Sequence, residues 1–310
     1  MQDPNTLCEM AIECFQEDPS RSYELFMQAA ETGFPNAFFG LAELRMAGIP
    51  DGNPDPDAAV ELYTTAAEAG HPPSMYRLGM IYSGATGLPE DPVLAHRWFL
   101  AAAESGMPEA FPEVGGMYLY GYGVEADPVK AFEWYSRAAD EGDALSMFKI
   151  GYMYSEGVGV QKDDDAATRM FRLAAFKGVP EAQFMMGKRC QDGSEPGGDA
   201  VAFNWYSRAA EAGLAPAVFN LGTMYYEGKG VQRDLAKAFE MYEAVADTGE
   251  PDAEFMVARM LYEGLGVEKD VERSLKLFSK AAASGHDLSY RFMEDIRRRQ
   301  NTQFVTIDGA

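Results

Sequence analysis

Cysteine is scarce in these 310 residues: Cys8, Cys14 and Cys190 are the full set. An odd, sparse count builds no disulfide framework and suits a reducing compartment. Cationic side chains are in deficit too, with 26 Lys and Arg against 49 Asp and Glu, a formal net charge of −23. That balance argues against nucleic acid or an anionic membrane as a general partner, and favours solubility or a basic partner. No apolar run reaches the roughly 18 residues a membrane span needs, so none is expected. The opening MQDPNTLCEMAIECF has neither the basic start nor the apolar centre of a secretory leader, and a cytoplasmic location is expected. Histidine is limited to His71, His96 and His286, without an H-E-x-x-H or paired Cys/His spacing. No metal or cofactor is expected on those spacings.

What the chain has in quantity is a repeat. An alanine pair, Val-Ala in one unit, followed by glycine recurs at Gly33, Gly70, Gly106, Gly142, Gly178, Gly213, Gly249 and Gly285, at spacings of 37, 36, 36, 36, 35, 36 and 36. Seven residues before each glycine stands an aromatic, from Phe26 and Tyr63 to Tyr242 and Phe278. Three before it is always Ala, and eleven before it is only Ala or Ser. Offsets of four and eight residues place these columns on one helical face. Fifteen before the glycine stand Asp18, Asp55, Asp91, Asp127, Asp163, Gly198, Asp234 and Asp270. Aspartate there can accept from the free amides of a first helical turn, and the proline that follows it in the first four units suits the first helical position. The closing glycine suits a left-handed cap. This is helix B of each unit.

After each glycine a second helix, A, is expected. Pro35, Pro72, Pro108, Pro180 and Pro251 open it, followed by a small residue such as Ala37 or Ser74 and, four further on, an aliphatic such as Leu41 or Leu78. Beside that aliphatic sits Gly79, Gly115, Gly151, Gly187 or Gly222. A mid-helix glycine costs about 1 kcal/mol against alanine, so its recurrence points to a close helix–helix crossing. Pro112 should bend its A helix or shorten its start. A hairpin of this kind cannot bury its apolar face alone, and stacking on the next pair does so. One solenoid over residues 1–300 is expected, with a leading helix at 3–16, a trailing helix at 286–300 and a loose tail at 301–310.

The segments AVFNLGTMYYEGKGVQRDLAKAFEMYEAVADTG and SMFKIGYMYSEGVGVQKDDDAATRMFRLAAFKG resemble the Sel-one-like repeat (SLR), a relative of the tetratricopeptide repeat. The resemblance covers nearly the whole chain. It implies an all-α, right-handed α/α superhelix of about seven helix-turn-helix repeats, whose concave side often binds other proteins. Some secreted members carry one disulfide per repeat. This chain lacks those cysteines, so that branch and its β-lactam binding are not carried over.

The glycine loops GYGV at 121–124, GVGV at 157–160, GKGV at 228–231 and GLGV at 264–267 could be taken for phosphate cradles. A phosphate loop follows a strand and leaves helix amides open to the anion. Here a helix precedes, and an aspartate caps the next helix where the anion would sit, so a structural link is expected. Cys190 takes the place of Tyr82, Tyr118, Tyr154 and Tyr225 in other units and reads as a small core residue. The loop after it, CQDGSEPGGD, departs furthest from the pattern and reads as a drifted surface loop. The run IRRRQ at 296–300 reads as the last turn of a helix, where cations complement the dipole.

The columns that vary carry the functional expectation. On helix A the face left over by the core lies 3, 7, 10 and 14 residues after the glycine. In related repeats helix A lines the concave side. Arg77, Lys149, Lys188 and Arg259 would then form basic spots, with Met80, Tyr120, Tyr152, Met185 and Met256 supplying apolar contacts among Glu113, Asn220 and Thr223. This suits a protein or extended peptide whose carboxylates face the groove. A non-catalytic scaffold or adaptor is the expected function. A hydrolase acting in the groove is the alternative, although no nucleophile–base pair is visible, and a purely structural spacer is a third.

Overall fold

The computed structural model describes residues 2–307, with side chains described through residue 298. Among the described residues it is all helix, with seventeen helices and no strand. The chain divides into two compact units, Met1–Ala167 and Thr168–Ala310.

In the first unit, α1 (Pro4–Cys14) precedes B helices α2 (Pro19–Ala30), α4 (Pro56–Glu68), α6 (Pro92–Glu104) and α8 (Pro128–Asp140). These alternate with A helices α3 (Pro35–Met46), α5 (Pro72–Tyr82), α7 (Ala110–Tyr120) and α9 (Ala144–Glu156). Helix α10 (Asp164–Phe176) carries the division between the units. The second unit then runs through A helices α11 (Pro180–Gln191), α13 (Ala215–Glu227) and α15 (Pro251–Glu263). They alternate with B helices α12 (Gly198–Glu211), α14 (Leu235–Ala246) and α16 (Val271–Ala283), and α17 (Asp287–Ile307) follows. From α1 to α9 in the first unit and from α11 to α17 in the second, each helix packs on its sequence neighbours, as α3 does on α2 and α4.

The helix starts follow the aspartate column. Asp18, Asp55, Asp91, Asp127, Asp163, Asp234 and Asp270 each accept a hydrogen bond from a first-turn amide, at 2.8–3.1 Å. Helix α12, where the column holds Gly198, has no side-chain cap. The closing glycines all take positive φ, between 78° at Gly33 and 96° at Gly142. Pro112 shortens its helix: α7 starts at Ala110, whereas α5 starts directly at Pro72. At the third helical position proline forfeits only an amide that has no partner in the helix.

The core follows the repeat with two refinements. The aromatic column is buried throughout, with Phe171, Tyr206, Tyr242 and Phe278 all at 0% exposure. Below it the residue four before the glycine is buried in every unit, as at Ala29, Ala66 and Ala209, whereas the alanine three before it is buried in half of them, as at Ala67, Ala103, Ala175 and Ala246, and half-buried at Ala30, Ala139, Ala210 and Ala282. Steps of four and then three residues close two turns of a 3.6-residue helix; two steps of four overshoot it by about 80°. The second refinement concerns the helix A glycines. At Gly79, Gly115, Gly187 and Gly222 the nearest neighbour is not a backbone but an aromatic ring of the adjoining B helix. A Cβ at Gly79 would stand 2.6 Å from the Phe99 ring, and one at Gly187 would stand 2.5 Å from that of Tyr206.

Tyr206 cannot yield that space, because it is fully buried and its hydroxyl donates to Gln191 Oε1 at 2.8 Å. Gly187→Ala is therefore expected to destabilise the second unit by about 1–2 kcal/mol, the overpacking outweighing the helix-propensity gain of about 1 kcal/mol. Urea unfolding checks this; a rise in midpoint would show that the ring relaxes freely.

At the C-terminal end α17 runs through Ile307, seven residues into the segment expected as a tail. No glycine or proline interrupts the chain between Gly285 and Gly309, so nothing stops the helix at Gln300. Residues 308–310 lie outside the described residues. Ile296–Gln300 thus sits inside a helix and not in its last turn, where no basic residue stands. Arg298 pairs along the helix with Glu294 at 3.6 Å.

Candidate binding face

The left-over face of helix A is not flat. On α3 its four positions are Asn36, Gly40, Glu43 and Ala47, and all four line a cavity of about 560 Å³ in the first unit. Ile12 and Phe15 of α1, Phe26 of α2, and His71 and Pro73 at the start of α5 complete its wall. Pro73 is the same face position, three after its own glycine. In the second unit a cavity of about 240 Å³ lies among Pro216 and Asn220 of α13 and Asp252 of α15, again positions of this face.

The polar residues on the face differ in how far they are committed. Arg77 grips Glu43 at two points, Nε to Oε1 at 2.8 Å and Nη2 to Oε2 at 3.2 Å. The buried Tyr63 hydroxyl also donates to Glu43 Oε1, at 2.7 Å. Arg259 pairs with Glu263 at 3.2 Å and lies 5.9 Å from the Tyr226 ring. Thr223 Oγ1 accepts from the Tyr242 hydroxyl at 2.9 Å and donates to Phe219 O at 3.2 Å. Burial pushes the Tyr242 phenol up to about 12, which keeps it a donor. Partial desolvation also raises the carboxyl of Glu113.

Lys149 and Lys188 have no ion pair among the described residues; Lys188 only approaches the Phe184 ring, at 6.0 Å. Four expected basic spots therefore reduce to two uncompensated cations, since Arg77 and Arg259 are neutralised by neighbours. Tyr120 and Tyr152 stand 71% and 52% exposed, large for aromatic rings with no burial to gain in the free protein. Met80, Met185 and Met256 are half-buried. The helix α1 residues in the larger cavity escaped the column argument because α1 precedes the period. Their own signal is the i, i+4, i+7 spacing of Cys8, Ile12 and Phe15, with Ile12 67% exposed.

One cluster imitates catalytic geometry. His286 Nε2 lies 3.2 Å from Asp252 Oδ1, and its Nδ1 lies 2.8 Å from Ser289 Oγ, the Asp–His–Ser order of a hydrolase triad but with the two ring nitrogens exchanged. Ser289 is fully buried, and its own amide donates to that same Nδ1 at 3.2 Å. His71 and the fully buried Ser74 repeat the contact at 2.8 Å ahead of α5. Both histidines precede a helix and hold its first turn. Cys190 is 2% exposed, and burial pushes its thiol up, away from a reactive thiolate. The irregular loop after it folds back on the repeat through the Arg172–Glu195 ion pair.

The Sel1 repeat family matches residues 36–71, 72–107, 113–143, 144–178, 180–214, 215–249 and 251–286. Among solved structures, c5321, a protective antigen of uropathogenic Escherichia coli strains with an SLR fold, is 30% identical with a TM-score of 0.88. The similarity covers 96% of this chain and 65% of that one, so the chain spans about two thirds of that relative's length. A Sel1 repeat protein from Oxalobacter formigenes is 27% identical over 95% of this chain and 88% of its own, with a TM-score of 0.73. No curated protein matches the sequence.

Proposed function

The chain belongs to the Sel1 repeat family, and on that premise we propose that it is a non-catalytic scaffold holding a protein or extended peptide along its A-helix face. Repeat solenoids of this kind act as protein-interaction scaffolds. The observation that carries the reading is that the first unit's cavity takes in all four face positions of α3, 3, 7, 10 and 14 residues after the glycine, and the second unit's cavity takes in positions 3 and 7 of α13 and position 3 of α15. Tyr120 and Tyr152 supply exposed aromatic contacts of the kind that anchor interfaces. Lys149 and Lys188 offer charge-assisted contacts to partner carboxylates. The free thiols of Cys8, Cys14 and Cys190 agree with a reducing compartment. No helix among the described residues is long and apolar enough to cross a membrane.

A photo-crosslinking amino acid at position 152 is expected to label one partner in the native host, while the same group at exposed Val129 of α8 labels none. Tyr152→Ala should weaken that partner by roughly tenfold, about 1.4 kcal/mol. Equal labelling at both positions, or unchanged affinity in Tyr152→Ala and Lys149→Glu alike, would sink the assignment.

A further inference from the structure

We propose that the 560 Å³ cavity bounded by α1, α2, α3 and α5 is an anchor site for one or two bulky apolar side chains from a Lys- or Arg-flanked peptide segment. This rests on the A-helix face being a binding surface, and names what its N-terminal end selects. The volume lies in the range of sites that take small ligands or a pair of large side chains. Its wall is mostly apolar, with Ile12, Phe15, Phe26, Phe39, Leu44 and Pro73 around the polar Asn36, Glu43 and His71. Ile12 stands 67% exposed at this cavity, apolar surface left uncovered beside apolar surface.

The sign of the surroundings selects the partner. Residues 1–47 hold eight carboxylates and only two cations, Arg21 and Arg45. Both arginines are spent locally, on Glu24 at 2.8 Å and Asp51 at 3.0 Å. Arg77, the next cation beside the cavity, is held by Glu43. Burial lowers the pKa of His71, so it adds no charge at neutral pH. Glu9, Glu13, Glu17 and Glu31 have no ion pair among the described residues, and Glu9 and Glu13 follow Cys8 and Ile12 on α1 by one residue each, about 100° round the helix. An apolar pit beside uncompensated negative charge favours a cationic peptide and repels an acidic one.

The test uses the full chain and three synthetic peptides, KKFLKK, EEFLEE and KKGGKK, read by fluorescence anisotropy. KKFLKK is expected to bind at least about tenfold more tightly than either control, and more weakly as salt rises from roughly 0.05 to 0.5 M. Ile12→Lys and Ala47→Trp change exposed residues at the cavity, and each should lower that affinity about tenfold while leaving the melting curve unchanged. Glu9→Gln with Glu13→Gln should weaken KKFLKK and ease the repulsion of EEFLEE, opposite shifts that a purely apolar site would not give. EEFLEE binding as tightly, no KKFLKK binding, or indifference to both cavity variants would each overturn the proposal. A dimer dispersed by Ile12→Lys in sedimentation would instead assign the cavity to a second copy of the chain, and would overturn it too. If the peptides fail while position 152 still crosslinks its partner, the cavity assignment falls alone; if both fail, the face falls with it.

Discussion

Lys280→Ala is expected to destabilise the C-terminal repeat by about 3 kcal/mol, the cost of stranding a buried charge. Its partner, Glu254 on α15, has a side chain 1% exposed, and Lys280 Nζ stands 2.5 Å from Oε1. Neither carboxylate oxygen has a well-formed hydrogen bond among the described residues. The equivalent positions, five after the glycine, hold the buried apolar residues Met75, Phe111 and Met147 in other repeats. Glu254 thus occupies an apolar core site with a single counter-ion that reaches in from solvent, 57% exposed. Removing the counter-ion leaves the desolvation penalty uncompensated. Glu254→Met, the residue found in two other repeats, should instead stabilise by about 1 kcal/mol or more, because both the penalty and the pair disappear. In the double variant the loss of Lys280 should then cost little, a coupling that a double-mutant cycle measures. A solenoid need not unfold in one step, so amide exchange in α15, α16 and α17 reads the effect more directly than a melting midpoint. A neutral Lys280→Ala would mean that water reaches the carboxylate.

Glu254 also marks where the sequence is legible and where it is not. A period of 36 residues reports which positions repeat, and through them which side is core. Asp127 and its counterparts could be read as caps because a cap is local: donor and acceptor lie two or three residues apart. The aromatic column could be read as buried, but its seat could not. That Tyr206 rests on Gly187 depends on how α12 crosses α11, which the spacing within either helix leaves open. The positions of the proposed binding face can be read from the sequence, their charge pairing only partly. Arg77 reads as a free cation until it is set against the preceding repeat, where Glu43, 34 residues earlier, meets it. That pairing joins the seventh position of one repeat to the tenth position of the one before. Applied along the first unit, the same diagonal sets Met80 against Glu113 and Gly116 against Lys149, neither of which can form an ion pair. Lys149 therefore finds no counter-ion on this diagonal, and the signal for both outcomes lay in the sequence once columns were compared across repeats. The cavity at the N-terminal end was invisible for a different reason: α1 belongs to no repeat, so no column predicts what it covers.

The glycine loops allow the sharpest separation of two physical causes, and Gly159→Ala should cost about 3 kcal/mol where Gly157→Ala costs about 1. Both residues sit in the left-handed region, at φ 69° and 72°, so an L-residue at either is strained by a similar amount. They differ in what stands beside them. A Cβ on Gly157 would meet Lys162 Cβ at 3.4 Å, an ordinary contact. A Cβ on Gly159 would overlap the backbone carbonyl of Pro128, the first residue of the preceding B helix. Backbone cannot rotate away as a side chain can, so the loop must lift off that helix end. Gly123 stands in the same relation to Pro92, and in the second unit Gly266 to Leu235 and Gly230 to Asp199. The second glycine of each loop is thus the contact that sets one repeat on the one before it. Meanwhile Asp163 Oδ1 already accepts from the Ala166 amide at 2.8 Å, where an anion would have to bind. Urea titrations of the two single variants decide the matter. Equal losses would reduce both glycines to turn residues, whereas a larger loss at Gly159, matched by Gly123→Ala against Gly121→Ala, would locate repeat stacking in the loops that the sequence offers as phosphate cradles.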